Sequence, residues 1–302
     1  MAHSPYAQKS CQARRCSRIL LTAEGTFAGV GGLELYYRSL CPAPSPKAAV
    51  IIVHGFGDHS GGMDRISRHL AEHQYAAYSF DLRGHGRSSG TRGYVRRWDE
   101  YRGDLHAFRQ VVGGLHPGLP LFLLGHSLGG LICLDYCLHE ETGIAGLAAI
   151  APAFSYTIRP MEKWLIFLMS YLKPDYTVEK SLHSRNAREP NRNGWTKGDP
   201  LRHQTVTPGL GRGIITAQRL LQKRSPALRV PFLLQYGTDD SLTPPEKLRQ
   251  FFESVGSRDK QQIAYEHMRH RPFDEEGNSL FLADLLHWLD CRCASTSGQH
   301  WK

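Results

Sequence analysis

The sequence predicts an α/β protein, a mostly parallel sheet with helices on both faces and one helical insertion. Three observations carry this. Short runs that are apolar throughout recur along the chain, among them AAVIIV (48–53), LFLLG (121–125) and IAGLAAI (144–150). Strands that are apolar on both faces belong to parallel sheets covered on both sides. Segments of helical period separate them, giving the doubly wound alternation. From about 156 to 229 the rhythm stops, with scattered prolines and no convincing buried strand. Some 70 residues is too long for a structureless loop in a compact domain, so this segment reads as a cap laid on the sheet.

Taken in order, ELYY (34–37) and AAVIIVHG (48–55) are strand-like, DRISRHLAEH (64–73) is helical, and AAYSFD (76–81) is again a strand. WDEYRGDLHAFRQVV (98–112) is a helix with its acids early, as a helix start prefers. LFLLG is a buried strand, LGGLICLDYCL (128–138) a helix and IAGLAAIAP (144–152) a strand. After the insertion come the strand VPFLLQYG (230–237), the helix EKLRQFFESV (246–255), the strand QQIAYE (261–266) and the helix SLFLADLLHWL (279–289). The expected organisation is therefore a basic N-terminal extension over 1–23, a core formed by 24–155 and 230–302, and a basic helical cap over 156–229. There are no internal repeats.

The 302 residues are 41% hydrophobic and 22% charged, the profile of a soluble globular chain with enough length for a sizeable core. No apolar run approaches the ~18 residues of a spanning helix. The N-terminus is basic, has no acid before Glu24, and its one apolar stretch, ILL, is too short for a signal peptide. It reads as a disordered leader, with a transit peptide as the alternative. The seven cysteines form no C-x-x-C pair and no zinc-spaced cluster. Cys133 and Cys137 are expected to share one buried helix face. Together these features point to a reducing, cytoplasmic setting. The net charge is +9, and its placement is uneven: residues 156–229 hold 14 Lys and Arg against 5 Asp and Glu, while the rest of the chain balances to zero.

The most chemical stretch is LFLLGHSLGG (121–130). A strand, then G-x-S-x-G, then a helix is the pattern of a nucleophile elbow. The turn is strained, so the residues two before and two after the serine must be small. Ser127 fits, between Gly125 and Gly129, and Gly130 allows close packing of helix on strand. A serine hydroxyl is a weak nucleophile alone and needs a base that is oriented by an acid. The order Ser, Asp, His, each after a later strand, is available here. TDDSLTPP follows VPFLLQYG, and HMRHRPFDEE follows QQIAYE. Each site offers two candidates, Asp239 or Asp240 and His267 or His270, and the loop position favours His270. Backbone N–H groups must also stabilise a developing oxyanion. Leu128, next to the serine, and Phe56, in the glycine-rich VHGFGDHSGG (53–62), are the expected donors.

HGFGDHSG (54–61), DLRGHGRSSG (81–90), LFLLGHSLGG, YGTDDSLTPP (236–245) and YEHMRHRPFDE (265–275) together resemble the monoacylglycerol lipase and lysophospholipase branch of the α/β-hydrolases, which includes serine aminopeptidase relatives of the S33 type. Five motifs stand in order from about residue 24 to 290, most weakly over 156–229. The resemblance implies the α/β-hydrolase fold and Ser127 as nucleophile. The family's G-x-x-D followed by an apolar residue matches Gly237, Asp240 and Leu242, which implies Asp240 as the acid. Its tyrosine five residues before the histidine and its following F-[ND]-E match Tyr265, Phe273, Asp274 and Glu275, which implies His270 as the base. The sequence departs from the family at His267, where a glycine is usual, and at Gly62, where an arginine or similar residue is usual. The implied reaction is two-step acyl transfer on a lipid ester, monoacylglycerol or lysophospholipid, without metal or organic cofactor. A carboxylesterase or peptidase with another pocket, and a non-catalytic binding scaffold, are the alternatives. Epoxide hydrolase and dehalogenase chemistry is disfavoured, because those relatives carry aspartate at the elbow.

Within the cap, MEKWLIFLMSYL (161–172) has apolar residues almost all round a helix. Packed on the sheet it would be core. With a face exposed, amid the basic surplus, it is expected to touch anionic lipid as a peripheral contact. No nucleic-acid motif accompanies the basic charge.

Overall fold

The computed structural model describes residues 19–154, 159–179 and 198–296. Most of the basic leader, and 180–197 in the middle of the insertion, lie outside the described residues. Eight strands form one sheet: β1 (Leu20–Ala28), β2 (Glu34–Pro42), β3 (Ala48–Val53), β4 (Tyr75–Phe80), β5 (Leu121–His126), β6 (Gly146–Ile150), β9 (Phe232–Gly237) and β10 (Lys260–Tyr265). Between β6 and β9, β7 (Val178–Glu179) and β8 (Thr205–Val206) pair as a small ribbon. The sheet order is β1-β2-β4-β3-β5-β6-β9-β10. β2 runs antiparallel to both its neighbours, β1 and β4, and the other pairings are parallel. This is the α/β-hydrolase arrangement.

Periodicity explains which strands sit where. Every residue of β3, β4, β5, β6 and β9 is buried, as runs apolar on both faces require. Alternate residues feed two cores. On one face Val50, Ile52 and Phe122 meet Ile66 and Leu70 of α1 (Asp64–Glu72) and Phe281, Leu285 and Trp288 of α7 (Asn278–Thr296). On the other, Ile51, Val53 and Leu123 meet Leu105 and Phe108 of α2 (Asp99–Leu115), Leu131 and Leu134 of α3 (Leu128–Cys137), and Leu248 and Phe251 of α6 (Pro245–Ser254). α3 is buried all round, Cys133 and Cys137 included, which is why its sequence shows almost no polar face.

β1 is the strand that periodicity did not reveal, and it begins four residues ahead of the expected start of the core. LLTAEGTFA has an exposed outer edge, so only Phe27 needs to be buried. Its inward anchor is a packed aromatic group, with the Phe27 ring 4.8 Å from that of Phe108 and 5.7 Å from that of Phe80.

The described part of the insertion carries two helices beside the β7–β8 ribbon. α4 (Pro160–Leu172) and α5 (Pro208–Arg224) pack together, with Gly211 against Ile166 and the Arg212 guanidinium 4.3 Å from the Tyr171 ring centre. Thr207 caps α5, accepting from the Leu210 amide, and donates to the Gly93 carbonyl of the core at 2.8 Å. Leu210, Ala217 and Leu221 of α5 join the main core. By contrast, Ser170 is the one fully buried residue of α4.

Below the sheet's edge, Arg83 is clamped by Asp104, with Nε to Oδ2 at 2.6 Å and Nη2 to Oδ1 at 2.7 Å, and its Nη1 donates to Glu100 at 2.9 Å. A buried bidentate guanidinium–carboxylate pair gives fixed geometry more than raw stability. Here it holds the DLRGHGRSSG loop against α2.

Candidate active site

β5 ends at His126 and α3 begins at Leu128, so Ser127 alone makes the turn. Its backbone lies at φ 52°, ψ −113°, a strained conformation for a non-glycine residue and the mark of an elbow. The neighbouring glycines are required by space. A Cβ at Gly125 would stand 2.5 Å from the Gly129 carbonyl oxygen, a collision across the turn. At Gly129 the obstacle is different, the end of β3, with the Val53 carbonyl oxygen 2.2 Å away. The strained turn is pinned from both sides. The Ser127 amide donates to Ile150 at 2.9 Å, and the Ser127 carbonyl accepts from Ala153 at 2.9 Å.

The loops after β9 and β10 converge on this hydroxyl. His270 Nε2 lies 2.9 Å from Ser127 Oγ, and His270 Nδ1 lies 2.8 Å from Asp240 Oδ2. Asp240 is buried and fully engaged. Its Oδ1 accepts from the Leu242 and Thr243 amides at 2.8 and 3.0 Å, and its Oδ2 accepts from the Thr243 hydroxyl. Burial pushes its pKa up, but the His270 imidazole and the Thr243 donors outweigh this and hold the carboxyl below its ordinary value. An ionised carboxylate only accepts, so His270 carries its proton on Nδ1 and presents the Nε2 lone pair to Ser127.

The other two candidates stand apart. His267 and Asp239 are both exposed, and His267 Nδ1 lies 3.8 Å from Asp239 Oδ2.

Leu128 is the first residue of α3, where helix amides have no intrahelical acceptor. The loop after β3 runs close beside it. A Cβ at Gly55 would come within 3.2 Å of Ser127 Cβ. Among the described residues, neither the Phe56 nor the Leu128 amide meets a protein acceptor. Both amides are thus unpaired within the described residues, Leu128 directly following Ser127 and Phe56 directly following Gly55.

Several residues around the site are assigned no role from the sequence. His126, in the elbow, is buried, and burial holds its pKa well below the ordinary value, so the ring is neutral. Its Nε2–H donates to the His270 carbonyl at 3.0 Å. Asp81 accepts from the Ser60 amide at 2.6 Å and from the Arg87 amide at 2.7 Å, tying the loops after β3 and β4 together. Asp58, Arg202 and Arg271 form a buried ion cluster beside Phe56 and His270. Among the described residues, no three His, Cys, Asp or Glu side chains converge as metal ligands.

Comparison with known proteins agrees with the fold. The model of the family described as serine aminopeptidase, S33, matches residues 44–277. A monoacylglycerol lipase of Mycolicibacterium smegmatis is 29% identical over 270 residues, covering 88% of this chain and 96% of its own length. A monoglyceride lipase of Rattus norvegicus is 29% identical over 273 residues, covering 87% and 89%. Among solved structures, a Paleococcus ferrophilus monoacylglycerol lipase is 26% identical and superposes with a TM-score of 0.74 over 91% of this chain and 99% of its own.

Proposed function

We propose that this chain, which belongs to the serine aminopeptidase S33 family of α/β-hydrolases, cleaves carboxylic esters of lipids, monoacylglycerol or lysophospholipid, through Ser127, His270 and Asp240. The observation that carries the reading is the unbroken hydrogen-bonded line from Ser127 Oγ to His270 at 2.9 Å and from His270 to Asp240 at 2.8 Å. Relatives that align over almost their whole length are lipases of monoacylglycerols.

In this reading Ser127 Oγ attacks the ester carbonyl as its proton passes to His270 Nε2. Asp240 keeps the imidazole in the receptive tautomer and steadies the imidazolium that forms. The Phe56 and Leu128 amides hold the oxyanion of the tetrahedral intermediate. Collapse expels the alcohol, which takes the proton from His270 and leaves Ser127 acylated. Water then gives its proton to His270 and attacks the acyl carbon. When the second tetrahedral intermediate collapses, that proton returns to Ser127 Oγ and the acid departs.

The chemistry is tested by a panel of monoacylglycerols and lysophospholipids of rising chain length, set against aminoacyl amides. We expect kcat/KM to be highest on lipid esters. Cleavage of aminoacyl amides in preference to every ester would place the chain with the peptidases of its family.

The insertion is the segment that meets the lipid surface. Met161, Trp164, Leu165, Tyr171 and Leu172 of α4 are all exposed, Trp164 at 66%. Arg159, Lys163 and Lys173 are exposed beside them. An apolar helix face with flanking cations suits an anionic interface. No helix among the described residues is long and apolar enough to cross a membrane. Trp164→Glu is expected to weaken sedimentation with anionic vesicles at low salt. Equal binding of the wild-type protein to neutral and anionic vesicles would remove the electrostatic half of this reading.

A further inference from the structure

Two residues after Phe56, the Asp58 carboxylate is wholly buried and shared between two guanidiniums. Its Oδ1 accepts from Arg202 Nε at 3.0 Å and its Oδ2 from Arg271 Nη1 at 2.7 Å. These three residues come from three parts of the molecule. Asp58 lies in the loop that carries Phe56. Arg271 directly follows His270. Arg202 belongs to the insertion, on the stretch that leads into β8.

The seat is built for this arrangement. A Cβ at Gly62 would stand 2.2 Å from Asp58 Oδ1, so a side chain there would evict the carboxylate. Arg271 is fixed twice more, donating to the Gly62 carbonyl at 2.8 Å and to Asp274 at 2.6 Å. Burial alone would raise the Asp58 pKa, but Arg271 and Arg202 outweigh it and leave the carboxyl far below its usual range, so it is ionised. The insertion adds parallel contacts to the same loop. The His203 amide donates to the Gly57 carbonyl at 3.0 Å, and Asp199 lies 2.9 Å from the His59 ring nitrogen.

We propose that Asp58 and Arg202 are positioning residues. The carboxylate, held between Arg202 of the insertion and Arg271 of the histidine loop, sets the Phe56 amide and the His270 imidazole relative to Ser127. The insertion then has a second task besides meeting the lipid surface: it holds the reacting geometry. This rests on the reading of Ser127, His270 and Asp240 given above.

The discriminating substrate is p-nitrophenyl acetate, whose acyl group is too short to need an acyl-chain pocket. Arg202→Gln leaves Asp58 still paired with Arg271, so the variant is expected to fold, which thermal unfolding checks. We expect kcat to fall about tenfold or more, the scale of a small misplacement of reacting groups, with KM near wild type, on acetate and on a long-chain monoacylglycerol alike. Arg202→Lys, which keeps the charge but not the planar fork, should recover part of kcat, and it carries the same comparison if the glutamine variant unfolds. Wild-type kcat on acetate, with the defect confined to KM for long chains, would overturn the coupling and make Arg202 a pocket residue. Ser127→Ala run in parallel separates the two readings. If it still cleaves acetate, the site assignment falls and the coupling with it. If it is dead while Arg202→Gln is fully active on acetate, only the coupling falls.

Discussion

Ser127→Ala is expected to lower kcat on a soluble ester by about 10⁴- to 10⁶-fold, the range seen when a serine nucleophile is removed. The hydroxyl is the one group of the site for which nothing else substitutes. Among the described residues its Oγ contacts His270, while the turn itself is held by main-chain bonds to Ile150, Leu131 and Ala153. Alanine tolerates φ 52° about as poorly as serine does, so the strain at the elbow is unchanged and the melting temperature should stay close to wild type. The variant should also fail to react with a fluorophosphonate probe. The double variant Ser127→Ala/His270→Ala should be no slower than Ser127→Ala alone, because a base without its nucleophile has nothing to deprotonate. A Ser127→Ala protein that keeps more than about 1% of kcat, with the contribution of any co-purified esterase excluded by probe labelling, would mean that another group opens the ester.

Much of this architecture was legible because burial on both faces leaves an unambiguous mark. β3 and β6 are apolar at every position, β5 and β9 at every position but His126 and Gln235, and the sequence shows it. β1 was not legible for the converse reason. An edge strand needs few inward residues, and LLTAEGTFA spends most of its length in solvent. The elbow was legible because steric demand fixes residue type at close spacing, two glycines around one serine. The reason for Gly129 was less so, since its obstacle is the end of β3, some 75 residues earlier in the chain.

The ion cluster at Asp58 had no local signature at all. Its members are at 58, 202 and 271, and no period links them. The nearest hint was Gly62, where the resembled family carries an arginine. The structure supplies that region with guanidiniums from elsewhere, and Arg271 itself bonds to the Gly62 carbonyl.

Between Asp239 and Asp240 the structure supplies a local reason that the residues themselves contained. Asp240 Oδ1 receives the amides of Leu242 and Thr243, the turn in which an aspartate side chain binds the backbone two or three residues on. That turn aims its second oxygen at His270. Asp239 has no such anchor and faces solvent. The consequence is a sharp contrast between two neighbouring substitutions.

Asp240→Asn is expected to cost about 10⁴-fold in kcat, the magnitude associated with loss of the orienting carboxylate, while Asp239→Asn stays near wild type. The geometry dictates the mechanism of the loss. Two backbone amides donate to Oδ1, so an asparagine must place its single carbonyl oxygen there. Its amide group then takes the place of Oδ2 and points at His270 Nδ1. An N–H donor at that position selects the imidazole tautomer that is unprotonated on Nδ1 and protonated on Nε2. The nitrogen facing Ser127 Oγ would then carry a proton and be unable to accept one. Substrate binding does not involve this carboxylate, so KM should move little, and the backbone turn keeps its acceptor, so thermal unfolding should reveal a folded protein. Steady-state kinetics of the two variants on p-nitrophenyl butyrate decide the matter. If Asp239→Asn proves the more damaging, or if Asp240→Asn keeps more than about a tenth of kcat, then the carboxylate at 240 is not what holds the imidazole in its receptive form.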